Sequence, residues 1–115
     1  MKLRFKNPFA PKTGLQKLAE TMGNARLRYS TEGRGGTVFF ESDETKFDMW
    51  WEFGGGDALA IIDIPSEQQW VARTKLPLEK RAAILDYIGQ QVILDQASGK
   101  GTYELSENYL TIYQS

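Results

Sequence analysis

The chain has 115 residues, 41% of them hydrophobic and 25% charged, with a net charge of −1, which is the size and balance of one globular domain. It holds no cysteine and no histidine, so disulfides, thiolate zinc sites and any Ser-His-Asp or Cys-His mechanism are excluded. Catalysis would fall to carboxylates, Lys, Tyr or a hard metal ion.

No apolar run approaches the roughly 20 residues of a membrane span. The opening residues "MKLRFKNPFAPK" carry lysines but no apolar stretch of a secretory signal. Together with the missing cysteine this leads us to expect a cytoplasmic location. Residues 1–12, with Pro8 and Pro11, read as a short strand and a connector. Thr13 is placed to cap a helix at about 14–22, in which Leu15, Leu18, Ala19 and Met22 follow helical spacing. Gly23 ends it.

Four strands joined by tight turns are expected next. Residues 25–31 alternate Leu27 and Tyr29 against Arg26, Arg28 and Ser30. "EGRGG" reads as the turn into a strand at 37–42. A turn at Asp43-Glu44 leads to the longest strand, 45–53, and "GGGD" turns into 58–63. With the second turn centred on Asp43 and Glu44, Glu41 faces Lys46, Phe40 faces Phe47 and Val38 faces Met49. One opposite-charge pair and two apolar pairs make a favourable hairpin. This register sends Phe47, Met49, Trp51 and Phe53 to one face and Lys46, Asp48, Trp50 and Glu52 to the other. Of the adjacent tryptophans, Trp51 is therefore assigned to the core, and Trp50 stands among charges.

Pro65 closes the strand region. Ser66 and Gln69 form a capping box for a short helix, "EQQWVART". Pro77 suits the first turn of a longer helix to about residue 96, with a stripe of Leu78, Ala82, Leu85, Ile88 and Val92, and Ile84 alongside. Gly89 inside this helix costs about 1 kcal/mol against Ala and implies close approach by a neighbouring element. "SGKG" breaks the helix. A last hairpin pairs 102–106 with 109–113 around Glu107-Asn108. Tyr103, Leu105, Leu110 and Ile112 share its inner face, and Tyr109, Thr111 and Tyr113 its outer one. The short connections predict a single α+β domain over 1–115. It has an antiparallel sheet of five or six strands, a long helix packed on one face and one or two short helices.

Both glycine loops lie between strands and lack the Lys and Ser/Thr of a Walker loop, so they read as turns and not as phosphate cradles. Asp48, Glu52, Asp57 and Asp63 cluster in sequence without a calcium-loop pattern and read as a solvated sheet face. No cofactor and no metal site is expected. Charge is uneven along the chain: residues 1–36 carry +6, residues 37–63 carry −6 and the remainder −1. We read the basic start and acidic middle as solvating each other, and the pI of about 5.5 counts against a nucleic-acid partner.

The distinctive feature is the second face of the sheet. It carries Phe39 and Trp50, flanked by Arg26, Arg28, Asp48 and Glu52. If the glycine loop keeps that register, Ala58 and Ala60 on the next strand are small enough to leave room for Trp50. Aromatic residues with arginine and a charged rim are typical of recognition surfaces. The competing structural reading has the N-terminal helix covering this face as a second core layer. The expected function is a non-enzymatic binding or regulatory domain that meets a protein partner, or a second copy in a homodimer, through this face. The competing functional expectation is a carboxylate- or metal-dependent small-molecule enzyme or ligand-binding domain.

Overall fold

The computed structural model describes residues 13–114; the strand and connector expected over 1–12 lie outside them. Two capping boxes start the short helices. Thr13 Oγ1 accepts from the Gln16 amide at 3.1 Å, and the Gln16 side chain accepts from the Thr13 amide at 2.8 Å. Helix α1 (Gly14–Thr21) follows. Ser66 and Gln69 repeat the device ahead of α2 (Glu67–Thr74). Each box satisfies two backbone N–H groups that have no partner within the helix. Gly23 and Asn24, both at positive φ, turn the chain out of α1.

The strands are β1 (Arg26–Glu32), β2 (Gly35–Glu41), β3 (Lys46–Phe53), β4 (Ala58–Asp63), β5 (Gly101–Leu105) and β6 (Tyr109–Gln114), with helix α3 (Arg81–Gln96) before the last pair. They form one six-stranded antiparallel sheet in the order β1-β2-β3-β4-β6-β5. The expected α+β class therefore holds, at the upper strand count. The β2–β3 register is the expected one, with Glu41 opposite Lys46, Phe40 opposite Phe47 and Val38 opposite Met49.

Two boundaries differ from expectation by more than one residue. The first hairpin turns on Gly33-Arg34 alone, with Glu32 paired to Gly35. Gly33 supplies the positive φ that a two-residue hairpin needs, which leaves Gly35 and Gly36 inside β2. The long helix starts as a 3₁₀ turn at Leu78–Lys80, and α3 proper begins at Arg81. The tighter winding of that turn rotates Leu78 off the apolar side. Leu78 and Ala82 are exposed, and the buried stripe is Ile84, Leu85, Tyr87, Ile88, Gly89 and Val92.

α3 lies on the sheet face made by Val38, Phe40, Phe47, Met49, Ile62, Leu110 and Ile112, and together they form the core. α1 packs on α3 and inserts Leu15, Leu18, Ala19 and Met22 against the core. α2 buries Trp70 edge-on to Phe47 at 5.7 Å, and the Trp70 Nε1–H donates to the Pro77 carbonyl at 3.0 Å. Among the described residues, α1, α2 and α3 thus occupy one side of the sheet. Gly89 faces the Tyr103 ring so closely that an added Cβ would lie 2.7 Å from Tyr103 Cδ1, the close approach read from the sequence. Trp51 is on the core side but only half-buried, and the fully buried tryptophan is Trp70. Phe53 and Leu105, placed on the inner face by alternation, are exposed at strand ends that the helix layer does not cover.

Candidate interaction face

Strand alternation carries the candidate residues to the sheet face opposite the helices. Arg26 and Arg28 come from β1, Phe39 from β2, and Asp48, Trp50 and Glu52 from β3. β4 and β6 add Ile61, Asp63, Tyr109 and Thr111. Because α1 sits on α3, it does not form a second core layer over Trp50, and that reading is overturned. Trp50 is 40% exposed. Ala60 pairs with Phe53 and with Ile112 and so faces the core; a register shift between Ala58 and Ala60 accounts for the change from expectation. Since Trp51 pairs with Ile62, the β4 neighbour of Trp50 is Asp63.

The paired tryptophans answer the paired glycines. A Cβ on Gly35 would lie 2.7 Å from Trp50 Cζ2, and one on Gly36 would lie 2.8 Å from Trp51 Nε1. Each indole lies in the space a β2 side chain would fill, one on either face of the sheet. On the inner face the Trp51 Nε1–H donates to the Ser30 carbonyl at 3.1 Å. On the outer face the Trp50 Nε1–H donates to the Glu52 carboxylate, also at 3.1 Å. Trp50 is thereby held beside Gly35 on the outer face.

The charges separate across this face. Arg28 donates two hydrogen bonds to Glu41, from Nε at 3.0 Å and from an Nη at 3.3 Å, and its Cζ stands 4.6 Å from the Phe39 ring centroid. Arg26 Nε lies 3.7 Å from the same carboxylate. The hydrogen bond and charge of Arg28 hold Glu41 below the usual carboxylate range and raise Arg28 in turn. Exposed ion pairs of this kind contribute little stability; here the pair with Glu41 holds Arg28 over Phe39. Around Trp50 the sign reverses. Asp48 and Glu52 stand two residues to either side on the same strand face, and Asp63 stands beside it. Burial, and then repulsion from Glu52, push the Asp63 carboxyl up, against a smaller opposing pull from Arg73. Arg73 reaches the rim from α2 and donates to the Asp48 carbonyl at 2.9 Å.

The six candidates therefore form two adjoining groups that meet where Phe39 pairs with Asp48. Asp63 and Tyr109 belong beside them, and sequence reasoning missed this because the β4–β6 pairing joins distant segments. Asp57, the fourth acid of the sequence cluster, lies in the turn between β3 and β4. Among the described residues no group of three or more potential ligands can hold a metal ion.

On the helix side, Tyr29, Trp51, Phe53, Leu59, Val92 and Gln96 border an apolar cavity of about 90 Å³. This is far below the roughly 300–1,000 Å³ of small-molecule sites. Among the described residues no helix is long and apolar enough to cross a membrane. Set against known proteins, the chain matches no family model, no curated protein and no solved structure.

Proposed function

We propose that this chain is a non-enzymatic binding or regulatory domain that meets a protein through the outer sheet face around Phe39 and Trp50. The observation that carries the reading is the one-sided helix layer, which leaves Trp50 on the opposite face and 40% exposed. Six strands about 4.8 Å apart and roughly 20 Å long present on the order of 500 Å², approaching the roughly 800 Å² that each partner contributes to a standard protein interface. A flat face of that size suits a macromolecule better than a small ligand. A second copy is one such partner, because the face carries both signs of charge and a two-fold arrangement sets it against itself. The setting we propose is the cytoplasm, which the lack of cysteine supports.

The test is affinity capture from native extract together with sedimentation equilibrium, using wild type, Trp50→Glu, and Leu94→Glu on the exposed side of α3. We expect a partner, or a dimer, that persists with Leu94→Glu and disappears with Trp50→Glu. A wild-type chain that stays monomeric and captures nothing that Trp50→Glu loses would contradict the proposal.

A further inference from the structure

We infer that the partner presents a cationic protein surface, with an arginine or lysine side chain seated on Trp50 between Asp48, Glu52 and Asp63. This rests on the outer face being the binding surface and adds the chemistry of what binds there. Indole has the strongest cation-attracting ring face among the side chains, and the Trp50 indole, held by its hydrogen bond to Glu52, is 40% exposed. Asp48 and Glu52 flank the ring along β3, and Asp63 flanks it on β4. Among the described residues no cation forms an ion pair with any of the three carboxylates. Arg73 approaches from the rim, where it donates to the Asp48 backbone carbonyl and exerts a smaller pull on Asp63.

The face's own arginines are drawn away from this spot. Arg28 and Arg26 both turn to Glu41, so a second copy would have to break those pairs to bring either arginine to Trp50, and Lys46 is the other cation of this face. A nucleic acid would bring phosphates against three carboxylates, which repel them. A foreign basic surface meets neither cost: it offers cations to the ring, relieves the repulsion that Glu52 exerts on Asp63, and leaves the Arg28–Glu41 pair intact.

The experiment titrates the whole chain with an oligoarginine peptide, and with an oligoglutamate peptide as control, while following the indole and backbone N–H resonances. Oligoarginine should shift the Trp50 indole and the β3 and β4 amides, and leave the indoles of Trp51 and Trp70 in place. Affinity should fall about tenfold or more between roughly 50 and 300 mM salt. It should fall about tenfold in the Asp48→Asn, Glu52→Gln, Asp63→Asn triple variant. It should fall about fivefold in Trp50→Ala, which keeps every charge. Unchanged binding in the triple variant, shifts confined to other surfaces, or equal binding of oligoglutamate would overturn the inference. If the capture or dimer described above is lost with Trp50→Glu but kept by the triple variant, the sheet face stands as the binding surface and the cationic partner does not.

Discussion

Trp50 and Trp51 are neighbours in sequence with opposite environments, and two substitutions separate their roles. Trp51 packs against the core and satisfies the Ser30 carbonyl, so Trp51→Ala should cost about 3 kcal/mol, near the lower end for large aromatic deletions because the ring is half-buried. Trp50→Ala, on the open face, should cost about 1 kcal/mol or less. Urea denaturation of both variants checks this, and equal losses would place Trp50 in the core. Gly36→Ala makes the complementary test. Its Cβ would overlap the Ser30 carbonyl oxygen and crowd Trp51 Nε1. Backbone stands in the way, so a loss of about 2–4 kcal/mol should appear in the same assay. Alternation alone was enough to separate the two tryptophans. The role of Gly35 and Gly36 was not legible, because two glycines after "EGR" satisfy a turn as well as they satisfy two indoles, and their partners lie on another strand.

Helix α3 shows what local pattern can and cannot reveal. Gly89 read as a close-approach position, and Tyr103 is the element that approaches. Gly89→Ala gains about 1 kcal/mol of helix propensity but forces a methyl group into the Tyr103 ring, and overpacking of this kind costs about 1–3 kcal/mol. We expect net destabilisation, removed when Tyr103→Leu is added; additive losses in the double-mutant cycle would disprove the contact. The helix start and Tyr87 were not legible. Pro77 marks a helix start without saying which winding follows, and a tyrosine hydroxyl reads as polar until its partner is known. That partner is the Ala25 carbonyl, 3.1 Å away. Burial pushes the Tyr87 hydroxyl up to about 12, and burial with the Asp86 hydrogen bond does the same for Tyr103. Both lie above the ordinary value of 10, so folding favours the protonated phenol. Its contribution is intact below pH 10 and is lost as pH rises from 10 through 12. Denaturation midpoints should hold steady through neutral pH and fall above about pH 10, less steeply in Tyr87→Phe.

At the scale of the whole molecule, the element list was legible and the placement of two elements was not. Chain order does not tell that β6 docks beside β4 and leaves β5 at the edge, because that pairing joins segments separated by two helices. Nor does the amphipathic pattern of α1 say which face it covers: Leu15, Leu18, Ala19 and Met22 suit either side of the sheet. The structure puts α1 on α3, and the account of function turns on that placement, because it leaves the Trp50 face open. Oxidative footprinting of Trp50 measures this most directly, on the purified chain at low concentration and on the same chain in native extract. We predict that Trp50 oxidises readily in the isolated chain and is protected in extract, while Leu94 on the far side of α3 reacts equally in both. Protection of Trp50 already in the isolated monomer, or equal reactivity in both settings, would contradict the claim that this face is a binding surface.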